Sequence, residues 1–204
     1  MMLTDRDLQI VDVLTGRLGI LDFEHLSEVW WNGDERSARR RLQTLVKGVV
    51  IEKRVVNVCP RRREPYLQWI VGDRMPDFEQ VRAATRGRWE IPTQSVEVFS
   101  ASAHTANLFG SDPDDVPDFY DRNRALLLGD AFTAWSTARS MKSSRWLSEI
   151  PGDMEESGHG RPDVLIADDR GNPFHAIGLV SGSTQRMEEV HSFCSSREVP
   201  YELW

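Results

Sequence analysis

Residues 34–48 read Asp34-Glu35-Arg36-Ser37-Ala38-Arg39-Arg40-Arg41-Leu42-Gln43-Thr44-Leu45-Val46-Lys47-Gly48. Asp34 is a good N-cap, the next thirteen residues contain no helix breaker, and Gly48 is a stop signal, so the stretch predicts a helix over 35–47. At about 100° per residue, Arg36, Arg40, Gln43 and Lys47 fall on one narrow face. Ala38, Leu42, Leu45 and Val46 fall on the opposite side, where they can pack against neighbours. Arg39 and Arg41 flank the polar face, and Ser37 and Thr44 lie near it.

Moving outward, Thr4 can cap a first helix that carries Leu8, Val11, Leu14 and Leu18 at helical spacing, with Gly16 and Gly19 weakening its end. Asp22 caps a second helix, FEHLSEVWW (23–31), with Phe23, Leu26 and Trp30 on one side and Asn32-Gly33 breaking it. After Gly48 the period changes. VVIEKRVVNV (49–58) reads as a strand, CPRRREP (59–65) as a turn and YLQWIVG (66–72) as a second strand. Three helices followed by a basic hairpin is the order of a winged helix-turn-helix, predicted here over residues 1–74. In that fold the third helix holds long cationic and amide side chains against phosphates and base edges. Arg61, Arg62 and Arg63 at the hairpin tip would grip the backbone beside it.

The chain has 204 residues and a formal net charge of −7, with room for one large domain or two small ones. The acidity is uneven: residues 1–75 hold 13 Lys and Arg against 11 Asp and Glu, the remainder 12 against 21, and 36–63 ten basic residues against one acidic. A basic island in an acidic chain needs a local explanation. The split helix and the triple-Arg turn together predict double-stranded DNA as the partner, with Arg36, Ser37, Arg39, Arg40, Gln43, Lys47, Arg61, Arg62 and Arg63 as contacts. An acidic protein partner for the same arginines stays open.

Composition, 40% hydrophobic and 28% charged, is that of an ordinary soluble globular protein. The opening MMLTDRDLQIVDVL has acids where a secretory leader has a basic head and an apolar run, and no stretch reaches the roughly 18 apolar residues of a membrane span. Cys59 and Cys194 lack zinc or redox spacing, which predicts two free thiols and a cytoplasmic location. No cofactor or small-molecule substrate is indicated.

Residues 75–99 read as a connector; from Gly72 onward GDRMPDF (72–78), TRGR and IPTQ are turns around a short helix and a strand, QSVEVF (94–99). The acidic loop SDPDDVPD (111–118) lacks the alternating ligand spacing of a calcium loop. Residues 119–140 read as a helix with Leu126, Leu127, Phe132 and Trp135 in its core. MKSSRWLSEI (141–150) continues as a helical or turn region carrying Trp146 and Glu149. From Gly158 the pattern becomes α/β: strand VLIAD (164–168), turn DRGNP, strand FHAIGLV (174–180), a helix over 183–195 with Met187, Val190 and Phe193 on one face, and a terminal strand VPYELW. Fold class is therefore α+β, with a small α/β domain over 100–204. Helix–strand–strand–helix–strand is similar to the core order of the PD-(D/E)xK nucleases. There an Asp after Pro and an acid on the next strand hold a divalent metal, and a Lys two residues later positions the attacking water. Pro162-Asp163 fits the first element. Gly178 stands where the second carboxylate belongs and Val180 where the lysine belongs, so no catalytic residue and no metal ligand is assigned, and the chain is read as a non-enzyme. Asp168 and Asp169 read as turn formers. The enzymatic alternative is a divergent nuclease using Asp163 with Glu149 or His159.

LTDRDLQIVDVL (3–14) followed by ERSARRRLQTLVKGVVIEKR (35–54) resembles the N-terminal winged helix of the replication-relaxation proteins of plasmids and mobile elements. RPDVLIADDRGNPFHAIGLV (161–180) is similar to the restriction-endonuclease-like region of their C-terminal halves. The resemblance covers about residues 3–58 and 158–204. It implies a role in replication, mobilisation or transcription control of a plasmid or phage-like element. A third reading is an interaction module whose acidic half docks a partner or dimerises; for the terminal YELW (Tyr201, Leu203, Trp204) a core edge strand and a homodimer contact are both open.

Overall fold

The structure, a computed structural model, describes residues 2–88, 93–110, 119–138, 145–147, 160–180 and 182–204. It is mixed α+β and divides into two units, residues 1–61 with 91–138 and residues 62–90 with 139–204. No described helix is long and apolar enough to cross a membrane. Cys59 and Cys194 are both buried and neither is in a disulfide, and burial pushes the Cys194 thiol up to about 12.

In the first unit the three expected caps start the first three helices. Thr4 and Asp7 form a reciprocal capping box on α1 (Asp5–Gly16), Asp22 caps α2 (Phe23–Trp31), and Asp34 caps α3 (Glu35–Lys47). A short strand β1 (Ile20–Asp22) lies between α1 and α2, and β2 (Ile51–Val58) follows α3. Asn32 ends α2 in the left-handed region at φ 51°, where an Asn side chain is tolerated.

The end of α3 departs from the simple glycine stop. Gly48 is the C-cap at φ −82°, and Val49 takes the left-handed position at φ 56°. Val49 N–H donates to Val46 O and Val50 N–H to Leu45 O, both at 3.0 Å, the paired bonds of a Schellman end. Ser102 holds the turn from the other side, donating its hydroxyl to Val49 O at 2.7 Å. A β-branched residue in this region costs about 1–2 kcal/mol, and the Val49 side chain is 61% exposed, so little packing offsets it. Val49→Gly is expected to stabilise the protein by about 1 kcal/mol, read as a higher midpoint in urea; an unchanged or lower midpoint contradicts the strain.

The expected hairpin does not form. Strand β3 (Leu67–Trp69) belongs to the second unit, and β2 pairs instead with β4 (Gln94–Ala101), antiparallel over eight positions from Ile51↔Ala101 to Val58↔Gln94. β1 pairs with the other edge of β4, giving the sheet order β1-β4-β2. The QSVEVF strand read as part of a connector is thus the central strand of this sheet. The reason lies in side-chain partnership rather than in the turn: Val56, Val58 and Val98 are buried together with Ile20 and Leu126, whereas Trp69 is buried among residues of the second unit. Helices α5 (Ala103–Leu108) and α6 (Phe119–Ala138) complete the unit. The α6 residues expected inside, Leu126, Leu127, Phe132 and Trp135, are all buried.

In the second unit the described strands form one sheet, β3-β8-β7-β6-β5, in which β5 is Arg145–Leu147, β6 Val164–Ala167, β7 Pro173–Gly178 and β8 Tyr201–Leu203. Trp146 is therefore in a strand, not in the helical or turn region expected. β7 and β8 are parallel and joined through α7 (Thr184–Ser195); the other neighbours are antiparallel. α4 (Phe78–Thr85) buries Phe78 and Val81 in one cluster with Met187, Val190 and Phe193 of α7 and with Tyr201 and Leu203. Asp168 forms the expected turn, accepting the N–H groups of Arg170 and Asn172 at 2.9 and 2.8 Å. The YELW strand is not an edge. β3 covers one side of β8 and β7 the other, and Tyr201, Leu203 and Trp204 are buried.

The boundaries drawn from sequence (1–74, 75–99 and 100–204) are thus replaced by two discontinuous units. Residues 62–90 leave the first between β2 and β4 and supply β3 and α4 to the second, and α5 and α6 belong to the first.

Candidate nucleic-acid interface

Helix α3 is divided as its sequence predicts. Ala38, Leu42 and Leu45 are buried and Val46 half-buried, while Arg36, Ser37, Arg39, Arg40, Gln43, Thr44 and Lys47 are exposed. The structure distinguishes among the exposed side chains. Ser37 is used locally: its N–H and hydroxyl donate to the Asp34 carboxylate at 3.1 and 2.6 Å, which completes the helix cap rather than offering a contact outward. Those bonds to Ser37 hold the Asp34 carboxyl below its usual value.

Arg41 turns away from the face. Its Nε donates to Asp7 Oδ1 at 2.9 Å, its Nη2 bonds Asp7 Oδ2 and also reaches Met2 O at 3.2 Å. Burial alone would raise the Asp7 carboxyl, but Arg41 and Thr4 hold it at about 2. The pair ties α3 to the capping box of α1. Arg39 lies with its guanidinium 4.0 Å over the Phe23 ring, 3.7 Å from Glu35 and 3.5 Å from Glu97. Arg40 and Lys47 have no ion-pair or hydrogen-bond partner for their side-chain charges among the described residues, and Arg36 meets only the field of Asp34. Arg36, Arg40 and Lys47 are the cations this helix leaves free.

Beside the helix runs a groove of about 200 Å³ between α3 and the sheet. Its floor is Phe23, Leu42, Val46 and Phe99; its rim is Arg39, Gln43, Lys47, Lys53 and Glu97. Lys53 and Glu97 were not singled out from sequence. Lys53 falls in an alternating strand, and Glu97 in a segment read as connector, where a Val-Glu-Val alternation is the one available signal. The hydrogen bond from Lys53, against the opposing effect of burial, and the charges of Lys53 and Arg39 hold the Glu97 carboxyl below its usual range.

The triple-arginine tip is dispersed. Arg61 is buried in the first unit: its Nη2 bonds Asp22 Oδ2, its Nη1 donates to Leu126 O at 3.1 Å and lies 3.5 Å from Asp130 Oδ1. Both terminal nitrogens of its guanidinium thus have partners inside the unit. Arg62 belongs to the second unit, 5.1 Å over the Tyr66 ring and 3.7 Å from Glu64; Arg63 is exposed in the same segment. Neither is on a hairpin tip.

In the second unit Asp163 accepts the Leu179 N–H at 2.7 Å and lies 3.8 Å from Arg186 Nη2. The register Val164↔Ile177 sets it opposite Gly178. A Cβ on Gly178 would meet Leu203 Cδ2 at 3.0 Å and Val190 Cγ1 at 3.4 Å, and Val180 is buried in the cluster under α7. The positions of the second acid and the lysine therefore face apolar neighbours. Among the described residues no group of three or more His, Cys, Asp and Glu is arranged to hold a metal. His159, Glu149 and the loop 111–118 lie outside the described residues.

No family model, curated protein or solved structure matches the chain.

Proposed function

We propose that the first unit is a winged helix that binds duplex DNA through α3, and that the second is a nuclease-like scaffold without cleavage activity. The order α1-β1-α2-α3-β2-β4, with β4 central in the sheet, supports the winged-helix reading, with residues 62–90 standing in the position of a wing tip. The observation that carries the function is the outer face of α3, where Arg36, Arg40, Gln43 and Lys47 stand exposed on one side of a helix whose opposite side is core. Guanidinium and amide groups at this spacing suit phosphates and purine edges. The nuclease-like reading of the second unit is supported by the order β5-β6-β7-α7-β8 with a parallel β7–β8 pair, and the absence of cleavage by the apolar surroundings of Gly178 and Val180. The resemblance to replication-relaxation proteins extends the proposal to replication, mobilisation or transcription control of a mobile element.

Arg61 is engaged inside the first unit, and the outer face of α3 itself presents Arg36, Arg40 and Lys47. Three free cations at about 0.9 per phosphate give a slope of log affinity against log salt of about −3, shallower than a helix and a triple-Arg wing together would produce. Anisotropy titrations of a duplex across salt concentrations measure it. No binding at low ionic strength rejects the proposal, and a slope steeper than about −6 rejects the contact set. Arg36→Ala, Arg40→Ala and Gln43→Ala should alter sequence preference as well as affinity.

A further inference from the structure

The groove beside α3 already contains an anion. Glu97 stands mid-strand in β4, paired with Val55 of β2. Its Oε1 accepts from Lys53 Nζ at 2.8 Å and its Oε2 from Arg39 Nη1 at 3.5 Å. Lys53 comes from β2 and Arg39 from α3, so one carboxylate joins the helix to the strand that flanks it. Two cations around a pair of anionic oxygens is also the arrangement a phosphodiester takes. The side chains of Arg39, Lys53 and Glu97 are 52%, 44% and 35% exposed, so the triad is open to a polyanion. Ion pairs this exposed are weakly held, whereas a nucleic acid that replaces the carboxylate gains by releasing its own counterions.

We infer that Glu97 is a built-in stand-in for a DNA phosphate, which the duplex must displace before Arg39 and Lys53 can hold its backbone. This rests on the reading of α3 as a duplex-binding helix. The sheet then acts as an intramolecular competitor, and in the wild-type chain Arg39 and Lys53 contribute to binding only in exchange for Glu97. Arg36, Arg40 and Lys47 carry the unopposed part of the interaction.

The test uses the full chain as wild type, Glu97→Gln, Lys53→Ala and the double variant, titrated against a short mixed-sequence duplex at several salt concentrations, with thermal melts to verify folding. Glu97→Gln is expected to bind tighter, with a salt slope steeper by about one to two units. Its advantage over wild type should therefore widen by roughly 4- to 16-fold on going from about 200 to about 50 mM salt. In the Lys53→Ala background the gain should fall to half or less. If wild type binds and Glu97→Gln binds no tighter with the same slope, the competitor role is overturned while the α3 reading stands. A gain of equal size in both backgrounds overturns it too, since it reports only the loss of one negative charge. If neither wild type nor Glu97→Gln binds at low salt, both readings fall.

Discussion

Arg61→Met is expected to destabilise the protein by about 3–5 kcal/mol, a fall in Tm on the order of 10–20 °C, while the surface of α3 is left intact. Arg61 is the cation of a buried cluster. The side chains of Asp22, His25 and Asp130 are 4%, 1% and 1% exposed. His25 Nδ1 lies 3.2 Å from the Asp22 main-chain N, and its Nε2 is 2.9 Å from Asp130 Oδ1 and 3.2 Å from Arg61 Nη1. Gly129 is part of the same packing, since a Cβ there would lie 2.6 Å from His25 Cε1. Without the guanidinium, two carboxylates with almost no exposed side-chain surface remain, and an uncompensated buried charge costs more than the original pair contributed. Arg61→Lys keeps the charge but loses the fork that spans Asp22 and the Leu126 carbonyl, and should fall between the two.

The pH dependence follows from the same residues. Burial would raise the Asp22 carboxyl, but His25 and Arg61 hold it below its ordinary 3.8. A carboxyl lowered in the folded state contributes stability that is present above its unfolded pKa and lost as pH falls through the folded one. Wild type should therefore lose this contribution only below about pH 4, whereas in Arg61→Met burial is opposed by less, so the penalty of the uncompensated carboxylates should be largest near neutral pH and shrink as protonation relieves it toward pH 3–4. Urea midpoints from pH 3 to 7 measure the difference. A variant with wild-type melting but weakened DNA binding would instead return Arg61 to the phosphate-gripping role expected from sequence.

A fragment of residues 1–74, the domain as drawn from sequence, is expected not to fold. It contains β1 and β2 but not β4, which lies between them and pairs with both, and it lacks Leu126 of α6, buried with Ile20, Val56 and Val58. Two strands with no partner between them do not make a stable sheet. A chain that joins residues 2–61 to 93–138 through a short Gly/Asn linker is expected to fold, because Val58 and Gln94 are direct partners and a tight connection there closes an ordinary antiparallel pair. It retains Arg61 and its acidic partners. Circular dichroism and proton–nitrogen NMR spectra of the two polypeptides decide the matter: a dispersed spectrum from 1–74, or a collapsed one from the joined chain, rejects the assignment of β4 as the central strand.

What could be read from sequence is what depends on near neighbours. The caps Thr4, Asp22 and Asp34 act over three residues, and the two faces of α3 follow from helical spacing alone. The order β6, β7, α7, β8 is likewise written in contiguous runs, VLIAD to YELW. Strand partnership was not legible. CPRRREP has the composition of a hairpin turn, and YLQWIVG is as good a partner for VVIEKRVVNV as SVEVF by propensity; what separates them is that Trp69 and Leu67 meet Tyr201 and Leu203, far along the chain. The fates of the three arginines differ for the same reason. Arg61, Arg62 and Arg63 are identical in type and adjacent, and only the distant carboxylates of Asp22 and Asp130 withdraw the first of them from the surface.

The detour of residues 62–90 also sets an order of events during synthesis. When β2 leaves the ribosome its partner β4 has not yet emerged, and when β3 leaves it must wait for β8, at residues 201–203. At about 5–20 residues per second, Leu67 precedes Leu203 by roughly 7–27 s, during which an apolar strand with Leu67 and Trp69 has no partner. The nascent chain therefore passes through a period in which the first unit can close around β4 while β3 and α4 hang from it unpaired. Chaperone demand should concentrate in that interval, and slowing translation downstream of residue 138 should lengthen it and raise the aggregated fraction.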